Sequence, residues 1–134
     1  MSAAGLLRCR QGGSAVEFAI AAPVFLALLL GLMEYARLIW TVQSLNSVAF
    51  STARCATYGS SCGTSSAAAS YATQLASGFG LTVTAANVTF TGNTTCNGNS
   101  GQNKVTVAYA FNSPIAGFIP AFPATVTGTG CFFK

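Results

Sequence analysis

The chain has 134 residues, of which only 6% are charged and 51% are hydrophobic, with a formal net charge of +4. A soluble domain has about 25% charged residues, so this composition suits a secreted or surface-exposed protein better than a cytosolic enzyme. The basic residues are scattered, which argues against nucleic-acid binding, and the lack of His and of any acid beyond residue 34 argues against an enzyme.

The first elements predicted are a basic leader over residues 1–12 and a membrane span over about residues 18–40. Arg8 and Arg10 precede the uncharged run FAIAAPVFLALLLGLM, and Tyr35 and Trp40 extend its apolar character. About 20 apolar residues suffice to cross a bilayer, and the basic leader predicts a cytoplasmic N-terminus with an exported C-terminus. A secretory signal peptide is the alternative, but no small-residue cleavage site follows the run.

We predict that one long helix covers residues 13–58 and continues beyond the membrane. Glu34 and Arg37 lie three positions apart, so they can form an intrahelical pair near the membrane edge. After them, apolar residues recur at three- and four-residue spacings, at Val42, Leu45, Val48 and Ala49. Gly59 and the following SSCGT then break the helix.

Residues 59–134 are expected to form an exported globular domain. A short helix is predicted over residues 65–78, and its inward face is expected to comprise Ala68, Tyr71, Leu75 and Phe79. Period-two alternation predicts strands over residues 81–92, 104–111 and 124–133, with an Asn- and Gly-rich loop over 92–103. The proline-containing stretch 113–124 is expected to be irregular. The fold class is therefore α+β, a long N-terminal hydrophobic helix followed by a small disulfide-bonded domain with an antiparallel sheet.

Four cysteines follow the apolar run, an even number that is typical of disulfides in an oxidising compartment. Cys55 and Cys62 bracket a short turn and are the natural local pair, which leaves Cys96 with Cys131. Three pairings are possible, and this is the one we favour. Zinc is the alternative, but the chain has no His and no C-x-x-C pair, so neither a metal nor another cofactor is expected.

The segment Arg10-Gln-Gly-Gly-Ser-Ala-Val-Glu-Phe18 resembles the processing site of type IV prepilins. In that family an inner-membrane peptidase cuts after a glycine, and glutamate is the fifth residue of the mature chain. The resemblance implies cleavage between Gly12 and Gly13, which makes Glu17 the fifth mature residue. A chain that keeps its leader is the alternative.

Over residues 8–57 the sequence also resembles the TadE-like pilins of the tight-adherence (Flp-type) systems. The shared features are the VEFA motif at residues 16–19, the early Pro23 and an E-[FY]-x-R ending at residues 34–37. The resemblance implies a type IV pilin-like fold and a subunit that assembles into an extracellular filament for surface attachment. Its implied partners are copies of itself or other pilins, the prepilin peptidase and the Tad assembly machinery, and it resides in the bacterial inner membrane before assembly.

Glu17, Phe18 and Pro23 are the residues to which the resemblance gives an assembly role. An ionised carboxylate at the head of a bilayer helix is costly unless it is paired. The implied partner is the freed α-amine of Gly13 in a neighbouring subunit, and this pair would set the register between helices. The alternatives for Glu17 are headgroup solvation or, if the leader stays, Arg8 or Arg10. Pro23 removes a helical hydrogen bond and either lets the helix bend during assembly or is tolerated as a plain membrane proline.

Two further functions remain open from the sequence. One is a minor pilin or inner-membrane pseudopilin of a Tad apparatus. The other is a membrane-anchored binding domain, for which aromatic rings exposed together near Phe118, Phe122 and Phe132 would be expected.

Overall fold

The computed structural model describes residues 13–134, apart from the side chain of Ser60. The elements are listed here in chain order: α1 Gly13–Tyr58, α2 Ser65–Gly78, β1 Val88–Cys96, β2 Asn99–Ala110 and β3 Thr125–Phe133, with short 3-10 turns at Ser60–Cys62 and Ala85–Asn87. The predicted α+β fold class is confirmed by the long apolar helix, the short second helix, the three-stranded antiparallel sheet and two disulfides. A first compact unit ends at Tyr35 and a second begins at Ala36.

The core of the second unit forms between the C-terminal half of α1 and one face of the sheet. The buried residues of α1 recur every three or four positions, at Thr41, Ser44, Leu45, Val48, Ala49, Thr52 and Ala53. This spacing places them on one helix face, as the sequence pattern predicted. Leu45 and Val48 of the helix and Val105 and Val107 of β2 are the largest fully buried apolar side chains.

Helix α2 packs through alanines rather than through the larger side chains expected from the sequence. Its buried residues are Ala68, Ala69, Ala72 and Ala76. Leu75 is half-buried, whereas Tyr71 and Phe79 are 37% and 39% exposed, so the expectation that they face inward was wrong. An alanine face lets a helix approach its neighbours closely, and this close approach displaces the bulky residues to the rim.

The sheet is a meander in the order β1-β2-β3, and all its pairs are antiparallel. Asn97 and Gly98, with φ of 51° and 83°, form a two-residue turn between β1 and β2. This is the type I′ turn that Asn-Gly favours, and its twist matches that of the paired strands. Residues 92–103, expected to be a loop, therefore lie mostly in a hairpin. Residues 81–87, expected to begin the first strand, lie before β1.

Helix α1 lies directly on strand β3 because two glycines remove the side chains between them. A Cβ atom at Gly128 would lie less than 3.0 Å from Leu45 and Asn46, and one at Gly130 equally close to Ala49 and Phe50. Between them, the Thr129 N–H donates to Asn46 Oδ1 at 3.0 Å. The alternating T-G-T-G of β3 therefore fixes where the helix crosses the sheet.

Two disulfides tie the second unit together. Cys55 pairs with Cys62, and Cys96 pairs with Cys131, with Cα–Cα distances of 5.6 Å and 6.3 Å. The first bond joins the end of α1 to the 3-10 turn. The second joins β1 to β3, the two strands that β2 separates. These are the pairs that the sequence favoured.

Candidate functional site

The first unit presents large apolar side chains on all sides of α1. Twelve of them are 46% to 74% exposed: Val16, Phe18, Ile20, Val24, Phe25, Leu26, Leu28, Leu29, Leu30, Leu32, Met33 and Tyr35. Because successive residues turn by about 100°, a run of this length covers the whole circumference of the helix. A helix that is apolar all round belongs in a protein core or in a membrane, and the described chain does not bury these side chains in its own core.

Within residues 13–134, α1 is the one helix long and apolar enough to cross a membrane, and none of its most apolar 18-residue window is buried. The low burial distinguishes it from the core helix of a soluble protein. The apolar helix therefore suggests membrane anchoring.

Small residues form a regular stripe along this part of α1. They recur every four positions, at Ala15, Ala19, Pro23, Ala27 and Gly31. Four residues complete slightly more than one turn, so the stripe follows one ridge of the helix. Small residues at this spacing allow two helices to approach closely in a membrane. The sequence analysis did not identify this four-residue spacing, although it is visible in the sequence.

Glu17 is exposed on α1 among Ile20, Ala21 and Val24. It is the single charged residue between Gly13 and Met33, and the first basic residue after it is Arg37, twenty positions later. Its carboxylate therefore stands in a stretch of helix with no other charged group. Such a group requires a partner or water when its surroundings become apolar.

Helix α1 continues through Pro23, which is exposed. Proline has no N–H, so the carbonyl of Ala19 loses the donor that an unbroken helix would supply. The described helix thus has a weak point six residues after Glu17. This geometry fits both roles predicted for Pro23, a site where the helix bends during assembly and a proline that a membrane helix simply tolerates.

Arg37, at the start of the second unit, contacts the loop that precedes β3. Its Nη2 donates to the carbonyl oxygen of Asn112 at 2.6 Å, and its guanidinium lies 4.5 Å from the centre of the Phe111 ring. These contacts were not foreseen, because nothing in the sequence joins residue 37 to residue 112. The predicted Glu34–Arg37 pair stays a prediction.

The three rings singled out from the sequence do not form one exposed group. Phe118 is 86% exposed, whereas Phe122 is half-buried against Phe111, with ring centres 5.9 Å apart. Phe132 instead packs edge-on against Phe50 and Tyr58. The structure therefore does not supply the shared aromatic surface expected of a binding domain.

Comparison with known protein families gives a match that includes the apolar part of α1. Residues 12–54 match the family model described as TadE-like protein. This segment is TadE-like. The match covers the apolar half of α1 and most of its buried half, and it confirms the resemblance predicted from the VEFA motif, Pro23 and the Glu34–Arg37 element. Searches of curated proteins and of solved structures give no significant match.

The TadE-like segment implies a component associated with the Tad pilus, and its family is a structural rather than an enzymatic one. Of the predicted site residues, the structure places Glu17, Phe18 and Pro23 on the exposed apolar part of α1 and joins the four cysteines in two pairs. The leader and Gly12 lie outside the described residues. The cleavage site and the role of Glu17 stay predictions.

Proposed function

We propose that the chain is a structural pilin subunit that assembles through the first half of α1 into an extracellular, Tad-type filament for surface attachment. The observation that supports this best is the exposure of apolar side chains around the whole of residues 13–35. A surface of this kind needs a bilayer or other apolar helices around it. The match to the TadE-like family supports a pilus as the destination.

Assembly must replace lipid around α1 with neighbouring helices. Lipid tails are as apolar as leucine, so the hydrophobic effect contributes little to this exchange. Close packing is the favourable term that remains, and the small-residue stripe provides a suitable ridge for it. Our proposal is that neighbouring subunits pack their α1 helices along this ridge.

Glu17 then fixes the axial position of one helix against the next. Prepilin peptidase cleaves between Gly12 and Gly13 in this proposal and frees the Gly13 α-amine. That amine pairs with Glu17 of a neighbouring subunit, so the apolar filament core contains a paired charge rather than an isolated one. Phe18, exposed beside Glu17, contributes to the same contact.

In this proposal the part of the chain beyond the membrane span is exported and lies outside the filament core. Its two disulfides suit an oxidising compartment. We therefore place the subunit in the inner membrane with its C-terminus exported, until the Tad machinery transfers it to the filament. In this role it acts by assembly, with no catalysis and no cofactor.

The number of copies in surface filaments tests this proposal and distinguishes a major from a minor pilin. Filaments sheared from cells would be imaged by electron microscopy, and the subunit in them quantified against the membrane fraction. We expect it to be abundant in the filaments. A subunit that stays in the membrane fraction would instead support the minor pilin or pseudopilin.

A further inference from the structure

The loop between β2 and β3 exposes apolar side chains that no role described above uses. This proline loop, residues 112–124, has no charged residue and contains three prolines, Pro114, Pro120 and Pro123. At its tip, Phe118 is 86% exposed and Ile119 is 46% exposed. These two adjacent large residues form an exposed apolar surface on a loop without charges.

The base of the proline loop contacts α1 at Arg37. Arg37 follows Met33, the last residue of the uncharged run, by four positions. Its guanidinium donates to Asn112 O and lies over the ring of Phe111, which also contacts Phe122. Both sides of the loop are thereby held beside residue 37, only four residues past the end of the uncharged run along the chain.

Neighbouring residues on α1 have the character of the bilayer interface. Trp40 is 64% exposed and Ile39 is 44% exposed. Tryptophan concentrates at the headgroup level of membranes, because its ring is apolar and its N–H is polar. The proline loop is therefore anchored at the same part of α1 as an expected interfacial residue.

The loop backbone is also suited to a poorly hydrated environment. Four of its N–H groups bond to carbonyl oxygens within the loop: Ala116 to Ser113, Phe118 and Ile119 to Ile115, and Phe122 to Ile119. The three prolines have no N–H to satisfy. Few backbone donors would thus lose water if the tip entered the edge of a bilayer, where unsatisfied groups are costly.

We propose that Phe118 and Ile119 insert into the lipid interface of the membrane that α1 spans, as a second membrane contact of the unassembled subunit. The inference rests on the membrane-anchored stage of the proposed function. A lipid surface is favoured over a second protein copy because the loop is held at Arg37, which follows the apolar run along the chain by four residues. With no charge in the loop, insertion requires no anionic lipid.

Tryptophan fluorescence tests this contact directly, because Trp40 is the chain's only tryptophan. The full chain would be reconstituted in phosphatidylcholine vesicles, at few copies per vesicle, with and without brominated phosphatidylcholine. Trp40→Phe combined with Phe118→Trp moves the reporter to the loop. The matched control combines Trp40→Phe with Phe133→Trp. Thr125 is the first residue after the loop and begins β3. Phe133 is 60% exposed and lies eight residues farther along β3, roughly 27 Å from Thr125 along an extended strand.

We expect brominated lipid to quench the loop reporter about as strongly as it quenches Trp40, and to leave the Phe133→Trp reporter unquenched. If Trp40 is quenched but the loop reporter is quenched only by aqueous iodide, the loop inference is overturned and membrane anchoring stands. A loop reporter shielded from both quenchers also overturns the inference, in favour of contact with a second copy. If Trp40 itself escapes the lipid quencher, the membrane stage of the proposed function fails as well.

Discussion

Glu17 is the residue whose chemistry most constrains assembly, because an acid in an apolar helix must be paired or hydrated. Its neighbours on the described helix, Ile20, Ala21 and Val24, offer no charge. The lipid headgroups can hydrate it before assembly, but a filament core cannot. In the proposed filament, where the leader has been removed, the partner then comes from another subunit.

We predict that Glu17→Ala abolishes filaments while leaving the subunit in the membrane. Removing one partner of a buried ion pair costs about 3–5 kcal/mol, because the other charge stays buried and unpaired. At each subunit contact this corresponds to a loss of over roughly 100-fold in the association constant. The measurement is the amount of subunit in sheared filaments relative to the membrane fraction.

Ser14→Ala is the control for this variant, since it changes an exposed polar residue one turn earlier without removing a charge. It should assemble normally. Normal filaments from Glu17→Ala would rule out the register role and would favour the headgroup alternative.

At the scale of single residues, the sequence predicted the local motifs of α1 but not the contacts between distant residues. The VEFA motif, Pro23 and the Glu34–Arg37 element predicted the TadE-like resemblance, because their spacing is local along the chain. Gly128 and Gly130 were predicted only as part of a last strand. Their importance lies in the contact with Leu45 and Phe50, and contacts between residues so far apart in sequence leave no local pattern.

Among the elements, α1 contains two different surfaces within one helix. Its first half is apolar all round, and its second half buries a single face against the sheet. The small-residue stripe from Ala15 to Gly31 follows one ridge that winds around the apolar half by about 160°. At Gly31 nothing lies within 4 Å of where a Cβ would be, so the stripe leaves room for a neighbouring helix.

We predict that Ala27→Leu impairs assembly, whereas Ala21→Leu does so much less. Both changes add the same volume to an exposed alanine. Ala27 lies on the stripe, while Ala21 precedes Pro23 by two residues and so faces away from it, about 160° around the helix. Overpacking a close contact costs roughly 1–3 kcal/mol, or about 5- to 150-fold in association.

Sheared filament yield again gives the measurement, with membrane content as the reference for expression and insertion. Both variants remain apolar, so both should insert. Equal loss of filaments in the two variants would show that the stripe is not the packing ridge.

Element types were predictable from periodicity, but strand limits were not. The period-two pattern indicated strands near β1, β2 and β3, yet the Asn- and Gly-rich stretch 92–103 was assigned to a loop. Asn97-Gly98 is itself a strong hairpin signal, and it allows the strands to extend to the turn. The prediction that Tyr71 of α2 faces inward was wrong for another reason. Ala72 is buried instead, and this depends on how closely α2 packs against the rest of the second unit, which the sequence does not show.

At the scale of the whole molecule, the two disulfides constrain very different lengths of chain. Cys55 and Cys62 are 7 residues apart, whereas Cys96 and Cys131 are 35 apart. The longer link encloses all of β2 and the proline loop. In a unit with few charges and an alanine-rich core, a constraint on that much of the chain should matter for stability.

We predict that replacing both Cys96 and Cys131 with alanine destabilises the protein more than replacing both Cys55 and Cys62. In the chain-entropy model the longer link contributes about 4 kcal/mol and the shorter about 2.5 kcal/mol. Urea unfolding of the full chain in detergent, followed through the near-ultraviolet signal of the second unit, measures both. Each double variant is the other's control, because each removes one bond and two sulfurs. A larger loss from the Cys55/Cys62 variant would show that local packing at the end of α1, rather than closure of the sheet, dominates the stability of this unit.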